Sequence, residues 1–194
     1  MSILGVGDAD VDIFIEVEKV PAYDEKVFSR ATSLHVGGMV LNFLACLKSL
    51  GNDCEYVGVI GDDKFGKKII NFLKDREIKH NNIVIDKKGE TYYCYIILDK
   101  LGEKSLIIVP TDCLFISENL IKENIFNTIK HVHTTSGNIS TALKVINIAN
   151  KKNLTVSIDV ENIYEYNLFT KLVKDVDILF INFLTFRKLG FEDF

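Results

Sequence analysis

The stretch Val36-Gly37-Gly38-Met39-Val40-Leu41-Asn42-Phe43-Leu44-Ala45-Cys46-Leu47-Lys48-Ser49-Leu50-Gly51 decides how this chain is read. Two adjacent glycines precede an apolar segment with helical spacing, and another glycine closes it. A glycine pair lets backbone approach a ligand closely, because no Cβ intervenes. The helix that follows begins with N–H groups that have no partner inside it. Leu41, Leu44, Ala45 and Leu47 mark its core stripe, and Gly51 suits the left-handed position that ends a helix. Asn42 falls one turn in, where it can point back toward the glycines. An ordinary helix with a glycine-rich start fits this stretch equally well, so the neighbouring segments must decide.

Upstream, residues 3–6 form a short apolar run that reads as a buried strand. Asp8, Asp10 and Asp12 then alternate with Ala9, Val11 and Ile13. At the strand period of two, the three carboxylates share one face. Three acids side by side repel each other, so they are expected to accept hydrogen bonds from substrate hydroxyls, a cation or backbone N–H groups. An EF-hand loop is excluded, because its glycine and glutamate positions hold Ile13 and Lys19. A dinucleotide fingerprint would need a third glycine where Asp10 stands, which leaves Gly5-x-Gly7 a weak signal.

The totals narrow the class. The chain has 194 residues, 47% of them hydrophobic and 26% charged, so it can bury a real core and reads as one folded domain. Its net charge of −4, without a basic run, argues against nucleic acid as the main partner. No apolar run approaches the ~20 residues of a membrane span. The four cysteines make no C-x-x-C pair, and no signal peptide pattern follows Met1, so the expected setting is a reducing cytoplasm. Cys46 and Cys94 lie in apolar runs and read as small core residues.

Taken in order, residues 12–20 and 26–35 read as two strands around a turn at Pro21-Ala22-Tyr23-Asp24. Residues 53–60 read as a strand. Asp62-Asp63 form a plausible N-cap pair for a helix over 64–76. Residues 91–99 and 104–109, rich in β-branched and aromatic side chains, read as a hairpin. Beyond Pro110 the pattern alternates: helix 118–129, strand 131–134, helix 141–151, strand 154–159, helix 166–173, strand 177–181. Strands spaced by helices of that length predict right-handed βαβ units and an α/β/α parallel sheet. His131 and His133 read as structural, His80 as a loop residue, and His35 precedes the glycine pair.

Three motifs now stand in order: Gly7-Asp8 with Asp12, Gly37-Gly38 with Asn42, and Gly58, Gly61-Asp62-Asp63, Phe65-Gly66. This series resembles the N-terminal signature of the ribokinase-like (PfkB) carbohydrate kinases. The resemblance implies a Rossmann-like α/β/α domain over 1–194 with a small β-sheet lid from segments at about 12–36 and 91–109. It implies ATP-dependent phosphoryl transfer to a hydroxyl of a sugar or nucleoside, with ATP and Mg2+ as cofactors. It assigns Asp10, Asp12, Gly37, Gly38 and Asn42 to the substrate side. It also leaves open a homodimer through the lid.

The chain departs from the family pattern in its second half. The family's N-x-x-E, which helps organise magnesium and phosphate, reads Asn182-Phe183-Leu184-Thr185, so Asn182 is retained and threonine replaces the acid. A D-x-N element reads Asp159-Val160-Glu161. The glycine-rich G-A-G-D element, which carries the catalytic base, occurs nowhere in residues 1–194. The resemblance therefore places the base beyond Phe194 and implies a C-terminally incomplete domain without turnover of its own. Two other readings stay open: a non-catalytic sugar- or nucleoside-binding relative, and a dinucleotide-binding Rossmann domain.

Overall fold

The structure is a computed structural model, and it describes residues 2–191. The elements run in the order β1 (Ser2–Val6), β2 (Asp10–Val17), β3 (Ser29–Gly37), α1 (Met39–Ser49), β4 (Asp53–Val57), β5 (Val59–Gly61), α2 (Lys64–Asp75), β6 (Val84–Asp86), β7 (Tyr93–Leu98) and β8 (Lys104–Val109). Two short 3-10 turns follow, Glu118–Leu120 and Glu123–Thr128. Then come β9 (His131–Thr135), α3 (Ile139–Lys151), β10 (Thr155–Val160), α4 (Tyr166–Val173), β11 (Ile178–Ile181) and α5 (Phe183–Lys188).

The main sheet has the order β11-β10-β9-β1-β4, and every pair in it is parallel. Side chains alternate across it. Leu4, Val6, Val132, Val156 and Ile158 enter one core with α3, α4 and the 3-10 turns. Ile3, Cys54 and Tyr56 enter the other with Leu41, Leu44, Ile69 and Leu73 of α1 and α2. Helices on both faces give the expected three layers. A mixed sheet, β3-β2-β7-β8, stands beside the main one. In it β2 pairs antiparallel with β3 and parallel with β7, and β7 pairs antiparallel with β8.

Several sequence expectations shift locally. The strand expected over 53–60 is broken at Gly58: β4 stays in the main sheet while β5 leaves it to pair with β6. The break is tight, since a Cβ at Gly58 would lie only 1.9 Å from the Tyr56 hydroxyl, which itself donates to the Gly7 carbonyl. The helix expected over 118–129 is two 3-10 turns separated by extended backbone at Ile121 and Lys122. Ile121, Ile125, Phe126 and Ile129 are buried, and packing against the sheet supersedes the weak helix preference of β-branched residues. The helix expected over 141–151 starts earlier, with Asn138 accepting from Thr141 N–H at 3.0 Å. The short strand β6 and helix α5 lie outside the elements that the sequence pattern predicts. Cys46 is exposed, not core, because it lies about half a turn from Leu44 on α1.

Of the Asp62-Asp63 pair, only Asp63 caps α2. Its Oδ1 accepts from Gly66 N–H at 2.7 Å and from the Thr91 hydroxyl at 2.8 Å, and its Oδ2 accepts from Thr91 N–H at 2.7 Å. Burial pushes its carboxyl up, but these hydrogen bonds outweigh burial and hold it below the usual range. One side chain thus ties the start of α2 to the start of β7, at the base of the mixed sheet. Asp63→Ala is expected to destabilise the fold by about 2 kcal/mol, since it removes a cap and leaves buried Thr91 groups unpaired. Because the folded carboxyl titrates low, the wild-type advantage should be present at neutral pH and fade as pH falls through the acid range. Urea unfolding at pH 7 and pH 3 measures both effects.

Candidate functional site

The carboxyl ends of β1, β9 and β10 open onto one crevice, the usual ligand position in open α/β sheets. The mixed sheet forms its opposite wall. The cavity between them measures about 760 Å³. Asp8, Asp10, Asp12, Gly38, Met39 and Asn42 line one side, Cys94, Ile96, Lys104, Leu106 and Ile108 the sheet side, and Ser136, Gly137 and Glu161 the floor.

The stretch around the glycine pair builds the acidic side. Gly37 ends β3 directly opposite Asp10 of β2, and His35 stands opposite Asp12. A Cβ at Gly37 would lie 2.3 Å from Asp12 Oδ2 and 2.5 Å from Asp10 Oδ1. Both carboxylates therefore converge over the space that the missing side chain leaves. The two oxygens are within about 5 Å of each other, close enough for each charge to disfavour the other. Gly38 takes a φ of 99°, and a Cβ there would press on the backbone of Asp8 and Ala9. This bend starts α1, whose Met39 N–H donates to Asp8 Oδ2 at 3.1 Å. Asn42, one turn further, lines the cavity, and its backbone N–H donates to the Gly38 carbonyl at 2.9 Å.

The three acids do not share one strand face. Asp8 precedes β2 and works as a buried cap of α1, also accepting from the Thr135 hydroxyl at 3.4 Å. Asp10 and Asp12 share the cavity face of β2. Asp10 is buried, and its Oδ1 has no hydrogen-bond partner. Burial, then the charges of Asp12 and Asp8, raise its pKa to about 8. Burial also raises Asp12, while His35 and Lys104 oppose the rise. The result is an asymmetric pair: one buried carboxyl without a partner, one with His35 and Lys104 nearby.

A second group sits at the ends of β10 and β11. Asp159 is raised to about 6 by burial and by the charges of Glu161 and Asp8. Asn182 caps α5 by accepting from Thr185 N–H at 2.8 Å, and its amide donates to Glu161 Oε1 at 3.2 Å. Asn182 thus reaches the cavity through Glu161 and does not line it. Thr185 is buried, and its hydroxyl accepts from Asn162 N–H at 3.2 Å. Threonine at this position secures the loop after β10 instead of presenting a charge. His131 and His133 are structural: both contact the Ser157 hydroxyl, and Phe43 stacks on His133 at 3.7 Å. Burial first, then His131, lowers His133 to about 3, so it is neutral at pH 7. Lys104 carries no sequence signal beyond its alternation within β8; the β2-β7-β8 register puts it on the sheet face that Asp12 shares.

The sequence matches the family described as pfkB family carbohydrate kinase over residues 2–189. The chain belongs to this family. It is 26% identical over 180 residues to an ATP-dependent ribose-1-phosphate kinase of Halopiger xanaduensis, covering 93% of this chain and 61% of that relative. It spans 57% of a ribokinase of Dictyostelium discoideum, at 25% identity. The chain therefore covers about three fifths of the length of these pfkB relatives. Its fold matches an Arabidopsis thaliana ribokinase solved in complex with ribose and ATP, with a TM-score of 0.78 and 23% identity over 96% of this chain and 62% of that one. Among the described residues, no helix is long and apolar enough to cross a membrane.

Proposed function

We propose that this pfkB chain holds the hydroxyl acceptor, a sugar or nucleoside, for ATP-dependent phosphoryl transfer. The observation that carries this reading is Asp10 Oδ1, buried at the cavity wall without a partner. An orphaned buried oxygen costs about 1–3 kcal/mol unless a ligand supplies its hydrogen bond, and a polyol hydroxyl does so. Asp12 offers a second acceptor beside it, and Asn42 contributes an amide that both donates and accepts. Gly37 leaves room between the Asp10 and Asp12 carboxylates, and Gly38 makes the bend that sets α1 and Asn42 beside them. The mixed sheet, from about 12–36 and 91–109, acts as the lid over it.

ATP and Mg2+ belong to the same reading. Magnesium keeps most of its waters and needs one or two carboxylates plus phosphate oxygens. Glu161 and Asp159, with Asn182 orienting Glu161, are the residues that fit it, and there it would neutralise phosphate charge. The G-A-G-D element does not occur in residues 1–194, so no catalytic base is assigned within this chain. Purified 1–194 is expected to bind acceptor without turning it over. Thermal shift and calorimetry across pentoses, hexoses and nucleosides test binding, with ATP consumption monitored alongside. Asn42→Ala should weaken the best acceptor about tenfold. A folded chain that responds to none of these ligands would overturn the reading.

A further inference from the structure

The walls of the cavity differ sharply in chemistry, and their register fixes the difference in space. Cys94 of β7 pairs with Asp12, and Ile108 of β8 pairs with Cys94. One row along, Ile96 pairs with Phe14 and Leu106 with Ile96. Strands lie about 4.8 Å apart, so Ile108 sits within about 10 Å of Asp12 on the same face of the sheet. Leu106 and Ile108 are about half exposed to the cavity, at 53% and 54%. Across the same cavity, Phe115 lies so close over Gly137 that a Cβ there would be 2.2 Å from its ring. The cavity is lined by five carboxyl groups and one ammonium, that of Lys104.

We propose that the acceptor is an uncharged polyol carrying an apolar or aromatic substituent, of the nucleoside class, and not a sugar phosphate. This rests on the reading that Asp10 and Asp12 hold the acceptor hydroxyls. A substituent on a sugar held there projects onto Cys94, Ile96, Leu106 and Ile108, where a planar ring gains apolar contact and finds an aromatic neighbour. A phosphate in the same place would face apolar side chains and a surrounding excess of carboxylates. Lys104 stands four residues along β8 from Ile108, about 13 Å away along the backbone, and its charge already acts on the Asp12 carboxyl, opposing the rise that burial causes there. The cavity is also larger than a single pentose fills, and lies within the size range of sites for larger ligands.

The test is calorimetry on the purified chain with ribose, ribose 1-phosphate, uridine and adenosine. One nucleoside should bind at least tenfold tighter than ribose, and ribose 1-phosphate no tighter than ribose. The double variant Leu106→Ser/Ile108→Ser, with its ligand-free melting transition confirming that it is folded, should shrink the nucleoside-to-ribose ratio to below about threefold. Ribose 1-phosphate binding best, ribose equalling the nucleosides, or a ratio unchanged in the double variant would each overturn the proposal while leaving the acceptor site standing. Binding of none of the four by folded wild-type protein would overturn the acceptor site itself.

Discussion

Asp10→Asn is expected to make the protein more stable at alkaline pH and, at the same time, to weaken acceptor binding by about a hundredfold. Asp10 is buried beside two other carboxylates, and its folded pKa is raised from 3.8 to about 8. The folded state therefore holds this proton more tightly than the unfolded chain. Its contribution to stability is fully present below about pH 4, declines as pH rises, and is lost above about pH 8. Asparagine carries no charge at any of these values. The variant and wild type should thus differ least near pH 4 and most above pH 8, where the rise from 3.8 to about 8 gives the variant a gain on the order of 6 kcal/mol. Hydroxyls donating to Asp10 favour its ionised form with two acceptor oxygens; the amide cannot ionise and always carries a donor in place of one of them. Urea denaturation from pH 4 to 9 reads the first effect, and calorimetry with the best acceptor the second. Parallel stability curves for the two proteins would refute the burial of an ionisable Asp10.

Such a residue shows what the sequence did and did not disclose. The helix α1 and its Gly51 terminus followed from apolar spacing, and Gly51 indeed has a φ of 83°. The parallel sheet followed from alternating strand and helix lengths. The acidic positions Asp10 and Asp12 were visible by their period of two. Their unequal surroundings were not, because Gly37 and Lys104 come from strands far along the chain, β3 and β8. The loss of β5 from the main sheet was hidden for a similar reason. Its residues are as apolar as those of β4, and the Tyr56 hydroxyl against Gly58 arises only once β1 is in place. The 3-10 turns near residues 118–129 carried a helical pattern of isoleucines, and only packing against the sheet distinguishes them from a helix. Asn182 was legible as a motif position, but its contact with Glu161 depends on the β10–β11 register.

The two glycines at the centre of the chain should fail in different ways when each is given a methyl group. At Gly37 the backbone has no left-handed φ, so alanine is conformationally acceptable. Its Cβ would instead occupy the space between Asp12 Oδ2 and Asp10 Oδ1, at 2.3 and 2.5 Å. These are side-chain ends, and Asp12 is only half-buried and can turn away. Gly37→Ala is therefore expected to cost about 1 kcal/mol or less in stability, yet to weaken acceptor binding more than a hundredfold by separating the two carboxylates from their shared ligand position. At Gly38 the φ of 99° already disfavours any L side chain, and the Cβ would meet the Asp8 carbonyl at 2.8 Å and Ala9 Cα at 2.9 Å. Backbone cannot yield as a side-chain end does. Gly38→Ala should thus destabilise the whole fold by about 3 kcal/mol, loosening the start of α1 and its Asp8 cap together. Paired denaturation and binding measurements on the two variants separate the outcomes. Equal losses of stability at both positions would show that Gly37 serves the fold rather than the ligand.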